Sequence, residues 1–261
     1  MLSHAENRDS IRDSVTAGAD TIEHGEDLDE ELCGEMVRRG TILVPTLELL
    51  TTWFTEFMPA HGEVQHVRPE VFLHRDVDEA IDPAAGARYA QAVFDNFRMA
   101  RELGVKIALG SDTVYSPLTP HGEYSARELK AMVRGGMTPL EAITAATSVG
   151  AQALGMAHRI GTVEPGKAAD LLVVTKDPTA SADVLYDAGN LRWIICNGRL
   201  AVEEGRRPVQ RPRRRPDPRA RAGRWGTAPA ARDLAARGDV DIVFPVHATR
   251  QAGTTRRRRP S

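Results

Sequence analysis

Three residues of this 261-residue chain are of the types, and in the settings, that hydrolytic metal chemistry uses. Asp112 stands in Leu109-Gly110-Ser111-Asp112-Thr113, His24 in Ile-Glu-His-Gly and His4 in Ser-His-Ala-Glu. Each follows a short β-prone run and precedes a stretch that reads as helix, so all three fall where a strand gives way to its loop. In an α/β sheet or barrel that edge is where ligands bind and catalysis takes place. Imidazole and carboxylate suit zinc and its neighbours, so two imidazoles and a carboxylate converging there point to a hydrolytic metal site.

The elements that must position these residues are legible from periodicity. Ile11 and Val15 lie four apart, Gly18 closes that helix, and residues 19–24 form a short strand ending at His24. Asp27 with Glu30 reads as a capping pair for a helix carrying Leu28, Leu32, Cys33 and Met36 up to Gly40. Thr41 to Pro45 is a continuous apolar run, the pattern of a strand covered on both faces. This alternation predicts a parallel sheet with crossover helices. Residues 46–85 break the rhythm, with a helix over 47–57 and then a polar insertion of the kind that forms lids and substrate loops.

Tyr89, Val93, Phe97 and Ala100 mark one face of the next helix, and residues 105–109 form the strand that delivers Asp112. A helix over 123–134 follows. Thr138-Pro139 then sets an N-cap and a proline at the first helical position of a helix reaching about Gly155. Beyond it the pattern changes to short strands at 161–163, 170–174, 193–196 and 199–202, the last two joined by an Asn197-Gly198 hairpin turn.

Composition divides the chain. Residues 1–205 carry 18 Lys and Arg against 32 Asp and Glu, a net of −14, whereas 206–261 carry 16 Arg and 4 Asp, a net of +12. The tail is rich in Arg, Pro, Ala and Gly and is expected to be disordered, with 240–246 its single β-prone run. Clustered arginines can neutralise phosphates, yet Trp225 is the tail's single aromatic apart from Phe244, so nucleic acid is not the expected partner. No run approaches the ~18 apolar residues of a membrane span. Two distant cysteines, Cys33 and Cys196, suit the reducing cytoplasm, which is the expected compartment.

Six segments in order over residues 3–202 now resemble the amidohydrolase superfamily, in its imidazolonepropionase-like and Xaa-Pro dipeptidase-like branch of metal-dependent hydrolases. They are Ser-His-Ala-Glu, Gly-Ala-Asp-Thr-Ile-Glu-His-Gly, Leu-Val-Pro-Thr-Leu, Ala-Leu-Gly-Ser-Asp-Thr, Gly-Met-Thr-Pro-Leu-Glu-Ala-Ile-Thr-Ala-Ala-Thr and Gly-Thr-Val-Glu-Pro-Gly-Lys-Ala-Ala-Asp-Leu-Leu-Val-Val. The resemblance implies an α/β fold, a partial (β/α)8 TIM-type barrel comprising strands five to eight over residues 1–157. Residues 158–205 would be part of a small β-sandwich, and 206–261 the disordered tail. It further implies that His4 and His24 bind a divalent metal, with zinc expected. Asp112 would hold metal and serve as general base, passing its proton to the leaving nitrogen. His121, on the loop after strand eight, is a candidate substrate contact, and Glu23 is expected to face the barrel exterior or to pair locally.

The family's His-x-His on strand one and lysine on strand four have no counterpart here, since no His-x-His occurs in the chain. Two readings follow. One is a metal-dependent hydrolase of C–N bonds in a small amide, peptide-like or cyclic substrate. The other is an N-terminally truncated, catalytically inert remnant with a structural or binding role. An open half-barrel leaves strand edges unpaired, and a homo-oligomer would cover them.

Overall fold

A computed structural model describes residues 1–52, 83–113, 122–203 and 242–245. Strands β1 (Leu2–Ala5), β2 (Thr21–His24) and β3 (Ile42–Val44) pair in that order as a parallel sheet, linked by helices α1 (Arg8–Thr16) and α2 (Glu30–Arg39). Asn7 caps α1 by accepting the Ser10 N–H at 2.9 Å, and the helix turns Ile11 and Val15 into the core. The cap of α2 is Asp29, which accepts the Leu32 N–H at 2.8 Å, and Gly40 ends the helix in the left-handed conformation. The cap thus lies two residues beyond Asp27, the residue expected from the sequence. Asp27 is drawn instead to Arg8 at the start of α1, at 3.1 Å.

The run 105–109 does not form the full strand expected of it. It meets β3 in one parallel bridge, Leu43 with Ile107, where the Leu43 N–H donates to Lys106 O at 2.8 Å and the Ala108 N–H to Leu43 O at 2.9 Å. The ladder stops there because its next bond would run to Ala108 O from the backbone nitrogen of Pro45, which carries no hydrogen, while the Leu109 N–H faces the other edge and meets Ala145 O at 3.2 Å. Among the described residues the sheet does not close into a barrel.

Helix α3 (Leu47–Thr52) follows β3, and the expected extension to residue 57 lies outside the described residues. Helices α4 (Pro83–Glu102), α5 (Glu123–Arg134) and α6 (Pro139–Thr144) come next, α6 opening with a capping box between Thr138 and Glu141. The single helix expected up to about Gly155 is interrupted: a π-helical turn, Ala145–Val149, separates α6 from α7 (Gly150–Ala153).

Both faces of the sheet are covered. Ile22 and Leu43 pack with Ile11, Met36, Phe97 and Met132 in the main core, and Ile42, Val44 and Ala108 form a smaller cluster with Val149 and Ala153. That is why residues 41–45 read as an unbroken apolar run. Cys33 lies fully buried in the main core, as its helical neighbours suggest.

A second, antiparallel sheet runs β6-β5-β4-β7, from β4 (Leu171–Val174), β5 (Leu191–Cys196), β6 (Arg199–Glu203) and β7 (Ile242–Pro245), with a short helix α8 (Asp183–Tyr186) between β4 and β5. Asn197 and Gly198, with φ of 50° and 71°, form the two-residue turn the sequence announces. Residues 161–163 form no strand: Gly161 takes a φ of 94° and the Ala168 N–H returns to Arg159 O at 2.8 Å, closing a loop. Within the tail expected to be disordered, Ile242–Pro245 pairs antiparallel with β4, consistent with its being the one β-prone run there. No helix among the described residues is long and apolar enough to cross a membrane.

Candidate metal centre

Parallel pairing sets His4 of β1 opposite Glu23 of β2, and Ala5 opposite His24. His24 is the last residue of its strand and is only 6% exposed. Its Nε2 lies 2.9 Å from His4 Nδ1, and its Nδ1 lies 2.7 Å from Thr46 Oγ1. The two imidazoles meet edge to face, with centroids 4.5 Å apart. On the other side of His4, Nε2 is 3.1 Å from Glu6 Oε1. One donor atom from each of His4, Glu6 and His24 therefore lies within 4.8 Å of the others.

Glu6 is the one member of this cluster not among the residues singled out from sequence. Its signal was present, because residues two apart on an extended segment point to the same face, and Glu6 stands two after His4. Glu23 pairs locally, accepting the Thr21 hydroxyl at 2.6 Å, and its register beside His4 puts it on the face of the sheet that His4 occupies. Burial raises its pKa, and the charge of Asp112 adds to that.

Backbone strain is concentrated here. The non-glycine residues with positive φ among those described are His24 (70°), Thr46 (47°), Asp112 (42°) and the hairpin residue Asn197. The first three lie at the ends of neighbouring β segments. Such conformations cost about 1–3 kcal/mol each and gather at functional sites.

Burial and then the adjacent His4 lower the pKa of His24 to about 4, against the opposing pull of Asp112. His24 is thus uncharged at neutral pH, with a lone pair available to a cation. Two imidazoles and a carboxylate with gathered donor atoms fit a divalent metal of the zinc type. Thr46 supplies the partner for the second ring nitrogen that fixes a metal-binding histidine's orientation.

The loop after His24 is held from α4. Asn96 donates from Nδ2 to Gly25 O at 2.6 Å and accepts the Leu28 N–H at 3.0 Å, so one side chain spans the turn. Gly25 has a φ of 61°, and a Cβ there would come within 2.6 Å of Leu43 Cδ1. Next to it the Tyr89 hydroxyl donates to Glu26 Oε2 at 2.5 Å, while burial pushes the Glu26 carboxyl up to about 7.

Of the residues singled out from sequence, the structure brings His4 and His24 together. Asp112 is exposed and lies outside the three-donor cluster, although its charge acts on both His24 and Glu23. His121 lies outside the described residues.

The sequence profile of the amidohydrolase family matches residues 1–201. The chain belongs to the amidohydrolase family. Its relatives include the ochratoxinase of Aspergillus niger, 27% identical over 201 residues that make up 77% of this chain and 37% of the enzyme. The imidazolonepropionase of Geobacillus kaustophilus is 33% identical over 112 residues, 40% of this chain and 24% of that one. Among solved structures, a Xaa-Pro dipeptidase superposes with a TM-score of 0.60 at 31% identity over 76% of this chain and 44% of its own. A prolidase assigned in Bifidobacterium longum superposes with a TM-score of 0.62 at 29% identity over 79% and 48%. The amidohydrolase chain thus spans less than half the length of these relatives.

Proposed function

We propose that this chain carries the metal-binding edge of a hydrolase acting on C–N bonds of a small amide or dipeptide-like substrate, within a (β/α)8-type arrangement. The observation that carries the proposal is the convergence of His4, Glu6 and His24 at the loop end of a parallel sheet. These three would hold the divalent metal, zinc being the expected one, and Asp112 stands near enough to act on His24. Bound there, the metal supplies Lewis acidity that polarises a carbonyl and acidifies water. Asp112 is the general base of this reading: its exposed carboxylate takes a proton from the attacking water and returns it to the leaving nitrogen. Thr46 orients the His24 ring, and the low pKa of His24 keeps its donor nitrogen unprotonated. The Xaa-Pro dipeptide in the name of one structural neighbour makes Xaa-Pro amides the first compounds to screen.

A second reading, a metal-binding chain without turnover, is favoured by one observation: Asp112, the base of the first reading, lies outside the cluster of His4, Glu6 and His24. Metal titration followed by a dipeptide and N-acyl amide hydrolysis screen separates the two. Turnover that requires metal and disappears in Asp112→Asn supports the hydrolase. Metal uptake without turnover supports the second reading. No metal uptake overturns both.

A further inference from the structure

Glu128 is completely buried on α5, more than one hundred residues from His24 in sequence and outside every motif that marks the family resemblance. Its two carboxyl oxygens accept the backbone N–H groups of Leu47, at 2.9 Å, and Glu48, at 2.6 Å. Those are the first two residues of α3, whose amides have no acceptor within the helix. The Leu50 N–H donates to Thr46 O at 3.2 Å, which makes Thr46 the N-cap of that helix.

A threonine at an N-cap ordinarily adopts an extended backbone and turns its own hydroxyl onto those orphan amides. Thr46 does neither. Its φ is 47°, and its hydroxyl meets His24 Nδ1 at 2.7 Å. The capping duty has passed to Glu128.

We infer that Glu128 is a positioning residue for the metal centre: by capping α3 from a distant helix it holds Thr46 left-handed and releases the Thr46 hydroxyl to orient His24. The inference rests on the proposed metal site for its importance, but the relay itself is a property of the metal-free chain. Burial works to raise the Glu128 pKa, and the two N–H bonds oppose it by favouring the carboxylate. Arg134 and Arg127 hold the neighbouring Glu48 carboxylate, each at 3.8 Å, so α3 is tied to α5 at a second point.

The test compares Glu128→Gln, Thr46→Val, the double variant and Met36→Ala, a core truncation in α2 that serves as a stability control. The readouts are the nitrogen-15 resonance of His24 Nδ1 in the metal-free full chain and the zinc dissociation constant by competition titration. An amide at position 128 can accept one N–H but sets its own NH2 against the other. Glu128→Gln is expected to shift Nδ1 in the direction Thr46→Val shifts it and to weaken zinc about tenfold. The double variant should add little, and Met36→Ala should leave Nδ1 in place.

The inference is overturned if Nδ1 moves in Thr46→Val but not in Glu128→Gln, if the two effects add in full, or if Met36→Ala gives the same shift. Absence of zinc uptake by the unaltered chain would remove the proposed function, while the Nδ1 comparison would still decide the relay. Should Glu128→Gln not fold, hydrogen exchange in the unaltered chain decides. Slow exchange of the Leu47 and Glu48 amides is expected, and exchange as fast as in exposed segments overturns the inference.

Discussion

Replacing Asn96 by leucine tests whether α4 holds the loop that follows His24. Leucine nearly matches asparagine in shape but removes both hydrogen bonds, leaving Gly25 O and the Leu28 N–H without the side chain that now satisfies them. Each backbone group stranded in this way costs about 1–3 kcal/mol. The pair is part-buried, so the loss is expected to be about 2–4 kcal/mol, below the sum for two fully enclosed groups. Urea unfolding followed by circular dichroism reads this as a midpoint lowered by about 1–2 M at an unchanged slope of about 2 kcal/mol/M. Asn96→Ala should cost less, because the vacated space admits water to both groups. A leucine variant within about 0.5 kcal/mol of the unaltered chain, or one more stable than the alanine variant, would refute the reasoning.

Gly25→Ala places a Cβ against Leu43 at a φ of 61° and is expected to cost about 1–3 kcal/mol, checked by the same urea titration. Tyr89→Phe removes the hydroxyl whose hydrogen bond lowers the Glu26 pKa, so the Glu26 carboxyl should titrate above its present value of about 7, read by carbon-13 NMR.

The alternation of helix and strand over residues 6–45 was legible because each element carries its own period and stop signal, as with Ile11, Val15 and Gly18. The hairpin at Asn197-Gly198 was legible for the same reason, since its turn chemistry is local. Asp29 and Asp27 are both plausible caps in one dimension, and the tertiary pairing of Asp27 with Arg8 decides between them. Residues 105–109 have the composition of a strand, but Pro45, just past the partner strand, has no N–H to offer Ala108 O, and the ladder shortens to a bridge.

In the site, His4 and His24 were found from their positions at strand ends, and Glu6 could have been found from its spacing. Thr46, Asn96 and Glu128 could not. Their partners lie 22, 68 to 71 and 80 to 81 residues away, and each side chain looks locally like an ordinary turn or surface-helix residue. The left-handed backbone of His24, Thr46 and Asp112 likewise has no signature in the sequence, because nothing in those residue types demands a positive φ.

The most direct test of the central claim is a cobalt titration of the chain at pH 7.5, followed by the visible d–d bands, on the unaltered protein and on His24→Ala, His4→Ala and Glu6→Ala. The account predicts one cobalt per chain with bands of nitrogen and oxygen ligation, abolished in His24→Ala and weakened in the other two. Saturation that is unchanged in both His24→Ala and His4→Ala would contradict it.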